Sequence, residues 1–392
     1  MSWFLQLKLG SSTVRQLVSR AAVRLAAWLT NGRTVSGWLG CGDSHPLLHI
    51  QTVSPASAKR DRTAGRSRPA GHPEGMPPLT ADWIDHIHVT RQLPTPGERS
   101  AFFASVARGE LVALFPGVYI RASLWSALSG DQRYRARVKA VSLAAPVGTV
   151  FSHHSAAALW RLPLVASWPT KAHVLVPRAT GGRSTGMLER HTVGFPRESI
   201  SIEQLSVTTL ARTVADMAAC TTFAAGVALA DAALRRTAHP LASVPRTLVT
   251  QHDLIRELDE MPLTHGSVKA RRAIEFADGN SDRPGESVSR ANMQCLGIPM
   301  PQLQVAVTGA SGQVYIVDFW WPEFNMIGEF DGNAKYTDPE FLRGRTPEQA
   351  LIDEKRREDD LRAAGHGMTR WHWQIACSLN RLRAHLLAAG IR

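Results

Sequence analysis

Residues 313–332 read QVYIVDFWWPEFNMIGEFDG, and the fold of the carboxyl-terminal part turns on them. Two runs, Gln313–Phe319 and Met326–Asp331, flank Trp320-Trp321-Pro322-Glu323-Phe324-Asn325, which predicts two strands joined by a turn. Each strand carries acid where a buried strand should be apolar. Asp318 interrupts the face that holds Val314 and Ile316. Ile327, Glu329 and Asp331 share one face of the next strand, with the carboxylates about 7 Å apart. Half-buried carboxylates on neighbouring strands repel, and burying them unpaired is costly. A divalent cation relieves both problems. Oxygen donors suit Mg²⁺, which needs only one or two carboxylates beside a substrate phosphate.

Further out, Leu303–Val307 predicts an earlier strand, joined to the first through Gly309-Ala310-Ser311-Gly312. Asp282 as N-cap and Pro284 in the first turn start a helix that carries Glu286, runs to about Cys295 and stops at Gly297. Thr346-Pro347-Glu348-Gln349 reads as a capping box for a helix to Ala364, ended by Gly365. A strand Met368–Trp371 and a helix with Leu379, Leu382 and Leu386 on one face complete the order α-β-β-β-α-β-α.

This segment, 282–392, resembles the PD-(D/E)XK nuclease superfamily, in its very-short-patch-repair-endonuclease-like branch. The matching residues are Glu286, Asp318, Glu329, the run Glu329-Phe330-Asp331-Gly332, the helix EKRREDDLRAAG (354–365) and the strand MTRW (368–371). The resemblance implies a restriction-endonuclease-like αβββαβ domain in which Asp318 and Glu329 hold Mg²⁺ or Mn²⁺ and Glu286 supports them. The metal would polarise a phosphodiester for attack by water. The superfamily's lysine two residues after the glutamate is here Asp331, placed near the metal. Lys335, directly after the active strand, is the first substitute and Lys355 the second. Arg357 and Arg370 either contact phosphate or pair with the acids. Trp320, Trp321, Trp371 and Trp373 are expected to pack rather than to stack on bases.

Residues 76–281 read differently. A helix near 81–92, a break at Leu93–Gly97, a helix near 98–107 and a hairpin Leu111–Phe115/Val118–Ile120 make the parts of a winged helix-turn-helix. A helix near 131–145, a strand His173–Val176 and a helix from Thr209 follow, then helices near 222–236, 251–260 and 266–277. Ser152 or Ser155 is expected to cap a short helix. The neighbours His153 and His154 point about 100° apart on a helix, so they are expected to pack or cap rather than share a metal. Arg212 and Asp216 are i,i+4 neighbours and predict an ion pair. The segments ARGELVALFPGVYI (107–120), FSHHSAAALWRLPL (151–164), KAHVLVPR (171–178) and VTTLARTVADMAA (207–219) resemble the AbiEi-type antitoxins of type IV toxin–antitoxin systems. That resemblance implies a winged-helix DNA-binding module (76–125) and an α/β region (126–281). It also implies repression of the chain's own operon and a cognate toxin as partner. By the same carry-over Arg99, Arg108 and Tyr119 contact DNA.

The whole chain has 392 residues, 44% hydrophobic and 20% charged, enough for packed cores and unlike a disordered or collagenous chain. Its net charge of +12 is uneven. Residues 1–75 hold ten Lys/Arg against three Asp/Glu, whereas 282–392 hold 13 against 14. The leader combines an Arg-bearing amphipathic stretch with SPASAKRDRTAGRSRPAGHPEG, a composition that stays unfolded. We expect translation to start at Met76, with a transit peptide as the other reading. Four scattered cysteines, without C-x-x-C, fit a reducing cytoplasm. No apolar run is long enough for a membrane span. The expected architecture is α/β and α+β multidomain. Two functions stay open: a Mg²⁺-dependent DNA endonuclease carrying a DNA-binding module, or a non-catalytic regulator or antitoxin with a degenerate nuclease fold. The oligomeric state is not readable.

Overall fold

The computed structural model describes residues 86–177, 184, 186–192, 194, 198–262, 265–332 and 346–392. The chain divides into two units, 1–73 and 74–392, and every described residue belongs to the second. The leader and Lys335 lie outside the described residues. Among the described residues, mixed α/β structure is built on three sheets.

The first sheet is small and antiparallel, in the order β1-β3-β2: β1 (Ile87–Val89), β2 (Leu111–Phe115) and β3 (Val118–Arg121). Here the structure corrects the sequence. The expected helix over 81–92 is, from residue 86 onward, strand β1 and a 3-10 turn at Thr90–Gln92. Ile87 and Val89 alternate with His88 and pair across to Ile120 and Val118, so β-branched packing wins over helical spacing. Helix α1 (Pro96–Ala107) opens on a complete capping box between Thr95 and Glu98, with proline in its first turn. Helices α2 (Ala122–Ala127) and α3 (Gly130–Ser142) follow. Leu114, Val118, Ile120, Ala136 and Ala140 form the core of this part. A helix-turn-helix needs two helices before its wing. Among the described residues one α-helix stands there, and the 3-10 turn sits in the place of the other.

The second sheet has the order β6-β5-β4-β8-β7. Its strands are β4 (Val150–Phe151), β5 (Ala172–Leu175), β6 (Leu188–His191), β7 (Ser199–Ile202) and β8 (Leu205–Thr208). The helices are α4 (His153–Leu159), α5 (Leu210–Cys220), α6 (Phe223–Ala238), α7 (Gln251–Glu260) and α8 (Ser267–Phe276). Trp160, Val207, Leu210, Val214 and Met217 lie in one continuous core, and the Trp160 indole donates to the Thr208 carbonyl at 2.8 Å. Ser152 takes the N-cap position of α4, but its hydroxyl makes no capping bond. Ser155 instead accepts the His173 amide at 2.7 Å.

The third sheet, β12-β11-β10-β9, has helices on both faces. The chain runs α9 (Pro284–Leu296), β9 (Gln302–Thr308), β10 (Val314–Trp321), β11 (Met326–Asp331), α10 (Pro347–Ala363), β12 (Gly367–His372), α11 (Trp373–Ala376) and α12 (Leu379–Ala388). This is the order expected from the sequence. β9, β10 and β11 are antiparallel neighbours, and β11 and β12 run parallel across the α10 crossover. On one face Met293 of α9 and Leu382 and Leu386 of α12 meet Phe319, Trp321, Phe330 and Trp371. On the other, Leu361 of α10 meets Val317, Ile327 and Met368. Trp321 and Trp371 are buried and donate to the Pro299 carbonyl and the Ser289 hydroxyl, so they pack as expected. Asp282 is not the N-cap of α9: Arg283 is.

A buried clasp joins the second and third sheets' surroundings. Asp231 on α6 accepts Arg290 of α9 at 2.9 and 3.0 Å and the Asp278 amide at 2.7 Å. Arg290 also donates to the Phe276 carbonyl and lies over the Phe276 ring.

Candidate active site

The ladder between β10 and β11 pairs Trp321 with Met326, Trp320 with Ile327 and Phe319 with Gly328, and ends there. The next residues on the two strands are Asp318 and Glu329. The Asp318 carboxylate enters this fork and accepts the Phe330 amide at 2.9 Å, taking over a bond that the ladder no longer supplies.

Helix α9 brings Glu286 to the fork. Gly285 makes the approach possible: a Cβ there would lie 2.0 Å from the Phe330 ring, so only glycine lets the first turn lie against β11. Glu286 is buried and accepts the Asp282 amide at 2.9 Å. Burial first, and the Asp318 charge second, hold its carboxyl well above the usual glutamate range.

Gln304 links the two acids. Its Nε2 lies 3.2 Å from Glu286 Oε2 and 3.4 Å from Asp318 Oδ1. Gln304 has φ +51°, a left-handed conformation inside a strand, where a side chain costs about 1–2 kcal/mol. The paired residues around it, Val305 with Val317 and Leu303 with Phe319, place it directly opposite Asp318. Sequence reading missed Gln304: counting outward from the turn expected at 309–312 sets 304 against 317, one residue off the observed register, in which Thr308 pairs with Val314.

Glu329 and Asp331 face the other helix layer. Glu329 is buried and accepts Arg357 of α10 at 2.7 Å, and Arg357 also donates to the Ile316 carbonyl. Arg370 forks onto both oxygens of Asp331 at 3.0 Å and reaches Glu354 and Glu358. Burial works against the Arg370 charge, and its carboxylate partners outweigh it, so the guanidinium is held above its ordinary range. Of the two readings left open for Arg357 and Arg370, the geometry gives pairing with acids. Lys355 is exposed on α10, 3.5 Å from Asp359, and is not brought to the fork. The structure thus gathers Glu286, Gln304 and Asp318 directly, with Glu329 next along the opposing strand and tied to Arg357.

Among the described residues no three His, Cys, Asp or Glu side chains are arranged as a metal-ligand set. The oxygen donors that a hard cation needs are nevertheless offered by two carboxylates meeting where negative charge is crowded, while Gln304 presents its N–H to both. Glu286 and Asp318 are the residues that would hold it, and a bound cation would supply charge neutralisation and polarisation of a phosphate.

In the first sheet's surroundings, Arg99 and Arg108 are exposed, and Arg108 pairs with Glu110 at 2.5 Å. Tyr119 is half-buried, with its ring edge-on to Phe102 of α1 at 5.2 Å.

A second polar group lies in the central core. His153 and His154 meet His173 of β5 and His191 of β6. His153 stacks on His191 with centroids 3.6 Å apart, and His173 Nδ1 is 2.9 Å from His191 Nε2. Burial lowers His154 to about 4 and His173 to about 3, and it lowers His153 and His191 as well. Arg212 pairs with Asp216 at 3.0 Å, as its spacing predicted, and burial still raises Asp216 to about 6. His173 and His191 were not singled out in the sequence, because the β5–β6 register that aligns them comes from a long-range parallel pairing.

The chain matches no protein-family model, and no solved structure matches it. It is 37% identical over 82 residues to the uncharacterized proteins MT2308 and Rv2248 of two Mycobacterium tuberculosis strains. That stretch covers 21% of this chain and 30% of each relative. Among the described residues no helix is long and apolar enough to cross a membrane.

Proposed function

We propose that this chain is a DNA-binding protein whose carboxyl-terminal part is a Mg²⁺-dependent endonuclease-like domain acting on phosphodiesters. One observation carries the reading. Asp318 and Glu286 are drawn together at a fork in a four-stranded sheet, and the element order around them is α-β-β-β-α-β. A buried acid whose titration is shifted by burial together with a specific charged neighbour, as Glu286 is beside Asp318, marks a candidate functional site. Glu286 and Asp318 hold the cation, and Glu329, steadied by Arg357, completes the acidic rim. DNA contact by α1 and the β2–β3 hairpin, through Arg99, Arg108 and Tyr119, is the AbiEi-like half of the proposal.

A second reading has its own support. Glu329 and Asp331 are closed by Arg357 and Arg370, and no lysine follows Glu329 at the usual spacing. This favours a non-catalytic regulator or antitoxin, for which a neighbouring toxin gene is required. The deciding experiment incubates the full chain with single- and double-stranded DNA and Mg²⁺ or Mn²⁺, beside Asp318→Ala. Cleavage by the parent that the variant lacks supports the nuclease. Cleavage equal in both, or DNA binding without cleavage in either, rejects it and leaves the regulator.

A further inference from the structure

Away from the acidic fork, the central region holds an arginine-lined cleft. A cavity of about 980 Å³ is walled by Arg135, Arg161, Asp131, Gln132 and Trp168. A neighbouring cavity of about 460 Å³ is walled by Arg235, Arg236, Arg283 and Asp282, and the two share Ala232 and Pro284. Asp282 pairs with Arg235 and lies 3.9 Å from Arg283, which leaves Arg236 as the arginine of that wall without a carboxylate. Arg161 binds Glu203 at 2.9 Å, and Arg135 also reaches Glu203, at 3.8 Å. Arg236 is 9% exposed, and its Nη2 donates only to a neutral group, the Arg161 carbonyl, at 2.5 Å. Arg161 Nε and Arg236 Nη1 are buried donors with no hydrogen-bond partner among the described residues. Arg135 and Arg161 therefore share the Glu203 carboxylate, and Arg236 has no carboxylate partner among the described residues, which leaves its positive charge out of water without an anion. Such a charge is expensive to bury. Burial, helped by the Arg161 charge, pulls Arg236 down to about 10.

The backbone is strained at the same place. Arg161, Glu203 and Gln204 have φ of +57°, +50° and +63°. Arg161 ends α4 where glycine is preferred, and Glu203-Gln204 form the β7–β8 turn where Asn-Gly is preferred. Strain of this kind, held by surrounding structure, concentrates at ligand sites. The cleft also offers a flat wall: Trp168 stacks on Tyr134 at 4.8 Å and donates to Asp131.

We infer that this cleft binds a small phosphate ester of nucleotide size, its phosphate on Arg161 and Arg236 and its ring toward Trp168. Guanidinium forks match phosphate oxygens, and the volume lies in the range of small-ligand pockets. A long polyanion is a poorer match, because the unpartnered donors are buried. The site is independent of the nuclease reading.

Isothermal titration of the full chain tests this with deoxyadenosine monophosphate, deoxyadenosine, inorganic phosphate and a short DNA duplex. The monophosphate should bind best, and the nucleoside without phosphate should bind roughly tenfold weaker or less tightly still. Arg161→Met and Arg236→Met should each weaken monophosphate binding roughly tenfold or more. Arg236→Met should melt no lower than the parent, since it removes an uncompensated buried charge. Failure of the monophosphate to bind, unchanged affinity in both variants, a lower melting temperature for Arg236→Met, or a loss confined to the duplex would each overturn the assignment.

Discussion

Glu286 carries its charge at a cost. It is buried beside Asp318, and burial raises its carboxyl above the ordinary value of 4.5. A raised carboxyl takes up a proton in the fold before it does so in the unfolded chain, so its contribution to stability is lost as pH rises. Glu286→Gln should therefore raise the melting temperature relative to the parent at pH 8 and leave it nearly unchanged at pH 4.5. An equal shift at both values would show that packing, rather than charge, sets the effect. The same substitution should abolish any Mg²⁺-dependent cleavage, the usual opposition of stability and activity at a charged site. Asp318 and Glu329 were legible in the sequence, because each breaks an apolar strand pattern, whereas Glu286, in the first turn of a helix, was marked by the resemblance. Their partners were legible only in part. Gln304 breaks no pattern, and for Arg357 and Arg370 the choice between phosphate and the acids stayed open until α10 was placed over β11.

At the scale of elements, strong local signals held up. Capping residues, proline positions and glycine stops located α1, α9, α10 and the hairpins to within a few residues. The failure at 81–92 is of another kind: Ile87 and Val89 become strand because β3 is there to pair with, a contact about thirty residues away. The histidine cluster is also a product of tertiary pairing, and it yields a pH prediction. Four imidazoles with lowered values stay neutral in the fold, while the unfolded chain takes up protons below about 6.5. Stability should fall as pH drops from 6.5 toward the folded values of about 4 for His154 and about 3 for His173. Asp216 works the other way. Raised to about 6, it favours the fold as pH falls from there to its ordinary 3.8, and it offsets only part of the loss. Urea unfolding across this range should show the fall, and His154→Leu, which removes a buried nitrogen without a partner, should flatten it.

For the whole molecule, the Asp231–Arg290 clasp decides how the parts respond together. Both side chains are buried, with 1% and 6% exposed, so removing one leaves the other's charge without compensation. Asp231→Ala should cost about 3–5 kcal/mol, read as a lower urea midpoint. Its effect should appear in signals from both the central core and the tryptophan-rich carboxyl-terminal sheet. The charge balance of 282–392 gave no hint of this join, because Asp231 lies outside that segment. The clasp also limits how this chain can be recombined. Residue 290 sits on the helix that delivers Glu286, while its counter-ion belongs to the region before the acidic domain. A carboxyl-terminal cassette moved to another host would carry a buried guanidinium without its anion, so the two segments must be inherited as a pair.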